Sequence, residues 1–221
     1  MAVEQGREQR GRRTGDGARD GGRDGARRRL STAERREQLL SVGSQLFAQS
    51  PYDDVLIERV ASLAGVSRGL MYHYFPTKRD FFAAVVHRES ERMLRLTQAV
   101  PGVPVREQIG TGLDTFLEYV ERNAHGFRAF HRADAAGDPA VRRVYREGLA
   151  AQERQILEAL AADPEFAPGP GAGHPAGLRL AVRGWLAFLV SVCLEWLDEP
   201  EMPRDEVREL CARALLGAVT P

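Results

Sequence analysis

The sequence predicts an all-α protein of about nine helices, with an N-terminal three-helix unit of helix-turn-helix type and a larger helical unit behind it. Three observations carry this. Apolar residues recur with a 3.6-residue period through most of the chain, and alternating strand patterns are nearly absent. Pro51, Pro76, Pro101, Pro164 and Pro200 punctuate the periodic stretches. Residues 55–82 place a short helix, a glycine turn and a second short helix in direct succession.

Each element follows from local chemistry. Residues 1–30 hold nine arginines, five acids and seven glycines with almost no large apolar side chain. Such a segment buries too little apolar surface to offset the entropy of ordering, so it is expected to be disordered. No apolar stretch follows its charges, so it does not read as a signal peptide. The first helix is expected from Thr32 to Gln49. Leu39, Val42, Leu46 and Phe47 share one face, and Ser31 to Glu34 forms a capping box. A second helix is expected over 56–64, with Asp54 as a candidate cap, and a third from Arg68 to Tyr74, ahead of Pro76. Thr77 and Asp80 form another capping box, opening a helix that reaches Val100. Further helices are expected over 104–123, 125–136 and 138–163, then a Pro/Gly-rich loop over 164–175, and final helices over 176–198 and 204–219. This gives a tail (1–30), a helix-turn-helix domain (31–76) and a larger helical domain (77–221).

Composition excludes several classes. No run of eighteen apolar residues occurs, so no membrane span is expected. Cys193 and Cys211 lack metal-ligand spacing and lie in apolar helical patterns, consistent with a reduced, cytoplasmic protein. The five histidines show no metal spacing, so neither metal nor cofactor is expected. There is no phosphate-cradling glycine loop, nucleophile elbow or convincing acid pair, so an enzyme is not expected. Of 31 basic residues, Lys78 is the one lysine. Heavy use of Arg, Ala and Gly points to a GC-rich bacterial genome.

Within residues 55–82, Val60, Ala61, Leu63 and Ala64 form the inner side of the first short helix, and Gly65 supplies the positive φ of the turn. Val66 fills the angle between the helices, and Ser67 caps the second. In a helix-turn-helix the N-terminal residues of the second helix enter the major groove of DNA. The stretches Ala61-Ser-Leu-Ala-Gly65-Val-Ser-Arg-Gly69, Leu70-Met-Tyr72-His-Tyr-Phe75 and Thr77-Lys78-Arg-Asp-Phe-Phe82, with one amphipathic helix before them and about 140 residues of helices after, resemble the TetR/AcrR family of bacterial regulators. The motif-bearing likeness covers residues 32–85; the C-terminal part is similar in length and helical pattern.

The resemblance implies DNA contacts from Ser67, Arg68, Gly69, Leu70, Tyr72, His73 and Lys78. Arg68 suits a paired contact to guanine O6 and N7, worth about 1–3 kcal/mol of discrimination. Gly69 lets the backbone approach, Leu70 suits a thymine methyl, and Tyr72 and His73 reach towards phosphates. Lys78 matches the family's phosphate-contacting lysine. Leu56 departs from the Thr or Ser usual at its position, which puts phosphate contacts from that corner in doubt. Residues 31–80 carry six basic and six acidic side chains, so DNA binding would rest on placement, not on bulk charge. The arginine-rich tail is either a solvated extension or a DNA-binding arm.

The family encloses a small-molecule pocket in its C-terminal helices. Here Phe116, Tyr119, Phe127, Phe130, His131 and Tyr145 are the candidate wall, for an unidentified effector. Leu186, Leu189, Cys193 and Trp196, with Leu210 and Ala214, form apolar faces on the last two helices, and a homodimeric four-helix interface is expected there. The resulting expectation is a ligand-responsive repressor that binds a palindromic double-stranded operator as a dimer and is released by a small molecule. An activator, a ligand-independent regulator and a helical interaction protein with a vestigial DNA-binding head are the alternatives.

Overall fold

The computed structural model describes residues 30–166 and 175–220. Among these, nine α-helices and one 3-10 turn occur and no strand. The helices are α1 (Thr32–Gln49), α2 (Ile57–Leu63), α3 (Arg68–Tyr74), α4 (Lys78–Leu96), α5 (Val105–Arg122), α6 (Ala124–Ala135), α7 (Pro139–Ala162), α8 (Pro175–Asp198) and α9 (Arg204–Val219); the 3-10 turn is Tyr52–Asp54. The arginine-rich tail and most of the 164–175 loop lie outside the described residues.

Local chemistry sets the boundaries. Ser31 accepts from the Glu34 amide while the Glu34 carboxylate accepts from the Ser31 amide, closing the capping box that starts α1. Thr77 accepts from the Asp80 amide, and its hydroxyl donates to the Asp80 carboxylate at 2.8 Å. Asp138 accepts from the amides of Ala140 and Val141 and so starts α7, with Pro139 in the first turn, where a missing N–H costs nothing. Asp54 does not cap α2. It belongs to the 3-10 turn, and Leu56 stands at the cap position without a side-chain hydrogen bond.

Two apolar cores result. The first gathers Leu39, Leu40 and Phe47 of α1, Val60 of α2, Met71 of α3, and Phe81 and Phe82 of α4. Its aromatic centre sets Phe47 edge-on to Phe82 with centroids 4.9 Å apart, and Phe75 against Phe81 at 5.0 Å. Gly43 makes this possible, because a Cβ there would lie 2.3 Å from the Phe81 ring. The second core joins Leu113, Leu117 and Val120 of α5 to Leu160 of α7, Val182 and Trp185 of α8, and Cys211 and Leu215 of α9. Phe130 of α6 packs against the first core, as does Val141 of α7, so the sensor helices support the N-terminal helices directly.

The apolar face of α8 is corrected by the fold. Leu186, Leu189, Cys193 and Trp196 are turned into the protomer's own core, where α8 packs on α5, α7 and α9. They are therefore not available as an interface. Leu210 and Ala214 of α9 remain half-exposed. Ala176–Asp198 is long and apolar enough to cross a bilayer by length and composition, with mean hydropathy 1.6. Its inner face is instead a main wall of the second core.

Candidate nucleic-acid interface and cavity

Helix α3 is short, and one residue anchors it. Met71 is 1% exposed in the first core, while Arg68, Gly69, Leu70, Tyr72 and His73 all face solvent. The chain reaches this geometry through Gly65, whose φ of 64° lies in the left-handed region, and through the Val66 amide, which donates to the Ala61 carbonyl at 2.9 Å. Ser67 then caps α3 by accepting from the Leu70 amide at 3.1 Å.

The exposed side chains are pre-positioned. The Arg68 guanidinium pairs with Glu58 at 3.0 Å and lies 5.5 Å over the Tyr72 ring. Lys78 is half-buried: its ammonium donates to the Asp53 carbonyl at 3.1 Å and sits 4.5 Å over the Tyr52 ring. These two contacts fix a flexible stem beside the start of α4. Leu56 is 59% exposed next to this corner and caps α2 without a side-chain hydrogen bond.

Behind the N-terminal helices lies a cavity of about 260 Å³. Phe116, Tyr119, Phe127, Phe130, His131 and Tyr145 all line it. The rings of Phe116, Phe127, His131, Phe130 and Tyr145 touch in succession, with Phe127 to His131 at 4.5 Å and His131 to Tyr145 at 5.7 Å, both edge-on. Burial lowers the His131 pKa to about 4, which leaves the imidazole neutral. Burial, with Glu89 nearby, pushes the Tyr119 hydroxyl above its usual range. Burial also raises the Cys193 thiol to about 12 and the Cys211 thiol to about 11, as expected of packing residues.

Sequence reasoning missed Glu89. It is 6% exposed, lines the cavity from α4 and accepts from Ser44 of α1 at 2.7 Å. Arg88 and Arg92 bind the same carboxylate at 2.6 and 3.2 Å. The signal was present: Phe82, Val85, Val86 and Met93 place residue 89 on the inner face of α4, where an acid needs a partner. Gln152 of α7 is a second polar wall residue found only in the fold.

An exposed, capped reading helix on a glycine turn, carried by an all-helical body with an internal cavity, defines a DNA-binding regulator of the helix-turn-helix class. Residues 39–85 match the family described as bacterial regulatory proteins, tetR family, and residues 105–217 match the tetracyclin repressor-like C-terminal domain. The chain belongs to the TetR family of transcriptional regulators. It is 25% identical over 172 residues to the HTH-type transcriptional activator FasR of Mycolicibacterium smegmatis, covering 77% of this chain and 75% of that protein. It is 27% identical over 190 residues to the HTH-type transcriptional repressor KstR of Rhodococcus jostii, covering 83% and 84%. A tetR-family transcriptional regulator from Streptomyces coelicolor shares the fold with a TM-score of 0.74 at 29% identity, covering 86% of this chain and 82% of that one.

Proposed function

We propose that this regulator is a cytoplasmic repressor that binds a palindromic operator as a homodimer and is released by a small molecule. One observation carries the reading: α4 belongs to both functional regions. Phe81, Phe82 and Val85 hold its front to the first core, while Val86, Glu89 and Met93 face the cavity. A molecule that favours a different position of α4 would displace the reading helices. A coupling of about 1–3 kcal/mol is enough for regulation, and operator DNA would weaken effector binding by the same factor.

In this reading residues 31–76 are the DNA-binding segment and 77–221 the sensor, with α4 shared at the packing level. Ser67, Arg68, Gly69, Leu70, Tyr72, His73 and Lys78 meet DNA. Phe116, Tyr119, Phe127, Phe130, His131 and Tyr145 meet the effector. The dimer forms through the outer stripe of α8, where Leu180, Gly184, Ala187 and Phe188 face solvent, together with Leu210 and Ala214 of α9. Leu180 is 71% exposed and Phe188 37%, an apolar stripe left uncovered by the described residues of one protomer. Two α3 helices then address half-sites about 34–36 Å apart, or somewhat more.

Selection from a random duplex library at moderate salt tests this, with protein lacking residues 1–30 as control. An enriched inverted repeat supports the dimeric operator reader. Weak, salt-sensitive binding without a motif would leave only sequence-independent attraction and overturn it. FasR is named an activator, which favours a second reading of the regulatory sign. A footprint upstream of the promoter, with transcription lost on deletion of the regulator, would decide for activation.

A further inference from the structure

The charge balance around the cavity narrows what can occupy it. Among the described residues lining it, Glu89 is the one ionised side chain. Its charge is already met by Arg88 at 2.6 Å and Arg92 at 3.2 Å, and Ser44 donates to it at 2.7 Å. No arginine or lysine lines the wall among the described residues. A second cleft, about 690 Å³, lies between the α4–α5 connection and the C-terminal half of α7, and shares Leu94, Val105, Gln108 and Gln155 with the cavity. Its charged side chains are one cation, Arg154, and two acids, Glu158 and Asp163. Asp163 accepts from the amides of Val105 and Glu165, which holds its carboxyl below the usual range and keeps it ionised.

We propose that the effector is an electrically neutral, mainly apolar molecule carrying one or two hydrogen-bonding groups, and that carboxylates, phosphates and ammonium ions are rejected. The inference rests on the effector-cavity reading above and adds the chemical class. A buried carboxylate or phosphate would find no cation in the cavity, and at the cleft it would meet more acids than bases. A buried ammonium would find a carboxylate already holding three donors. A hydroxyl or carbonyl, by contrast, finds open partners. The Tyr119 hydroxyl, the His131 imidazole and the Gln152 carboxamide line the cavity and hydrogen-bond to no other described residue. With its imidazole neutral, His131 offers one donor and one acceptor.

Trp185 reports on occupancy, because it lines the cavity with its indole N–H fixed to the Cys211 carbonyl at 2.9 Å. The other tryptophan, Trp196, bonds to the Met202 carbonyl and is not on the wall. Trp196→Phe protein is titrated with decanol, decanoate and decylammonium at about pH 8, where acid and amine are ionised. The same three probes are run against the melting temperature of the unaltered full chain, which needs no variant to fold. Decanol is expected to change Trp185 emission, raise the melting temperature and bind at least about tenfold more tightly than either ion. Decanoate is expected to gain affinity as the pH falls towards its own pKa. Equal or tighter binding of decanoate or decylammonium at about pH 8 would overturn the neutral-effector proposal and leave the cavity reading intact. No response to any probe in either measurement would overturn the cavity reading itself, and this proposal with it.

Discussion

At the scale of single residues, the proposed roles of Arg68 and Lys78 predict two kinds of DNA contact. Arg68 is free to leave Glu58 for a base edge, since that pair is exposed and such pairs are worth little. Replacing Arg68 with Ala is expected to cost about 1–3 kcal/mol of operator affinity and to relax preference at one base pair, read by binding to a panel of single-base variants. Lys78→Ala is expected to weaken binding to all sequences alike and to lower the salt-dependence slope by about 1. His131 makes a prediction of a different kind. Its folded pKa of about 4 lies below its unfolded value of about 6.5, so the unfolded chain takes up the proton first. Stability is therefore fully present above about pH 6.5 and falls as the pH drops towards 4, by about 3 kcal/mol at most. Denaturant titrations of the natural chain and His131→Phe across that range should differ in slope; parallel curves would show that His131 is not the group responsible.

At the scale of elements, glycine separates packing from recognition. Gly43 lies where α1 crosses α4, and a Cβ there would meet Phe81 and Val85 at 2.3 and 2.8 Å. Gly43→Ala should destabilise the fold by about 1–3 kcal/mol, with any loss of DNA binding following from that. Gly69 has nothing within 4 Å of an added Cβ and sits inside α3. Gly69→Ala should leave the melting temperature unchanged or higher, because alanine favours helix by about 1 kcal/mol, while operator affinity falls. A variant that keeps full affinity would remove the close-approach role of Gly69. The same scale shows why some elements were readable from sequence and others were not. Capping boxes at Ser31 and Thr77, and the turn at Gly65, are local and chemically specific, so α1, α3 and α4 begin where their residues say. Helix α8 is apolar on nearly every side, from Leu178 and Leu180 to Val192 and Cys193. Periodicity cannot say which of two apolar faces turns inward, so Leu186, Leu189, Cys193 and Trp196 read as interface although the fold uses them as core. The aromatic wall from Phe116 to Tyr145 was legible as a group because those side chains recur on inward faces. Glu89 was legible only in part: its place on the inner face of α4 and its i,i+3 neighbour Arg92 are local, but Ser44 meets it only when α1 docks on α4.

For the whole molecule, the oligomeric state is the largest prediction. The outward stripe of α8 ends at Phe188, and in the proposed dimer an arginine there would set two like charges against each other across the two-fold axis. Phe188→Arg is expected to convert a dimer to a monomer in light scattering while the helical content stays constant. Operator affinity should then fall steeply, since two half-sites would no longer be bound together. A variant that stays dimeric would place the interface elsewhere.

Phe130 packs against the first core and also lines the cavity. That double placement has an evolutionary consequence. If the cavity holds the effector as proposed, a substitution at Phe130 that adapts the wall to a new one also alters the support beneath the N-terminal helices, so it is tested by selection on two traits at once. Positions such as Ile109 and Phe116, which belong only to the second core and the cavity, carry no such penalty. Lineages diverging in effector preference are therefore expected to vary first along α5 and to hold Phe130 nearly fixed. Laboratory evolution towards new inducers should accumulate its early changes in the same order.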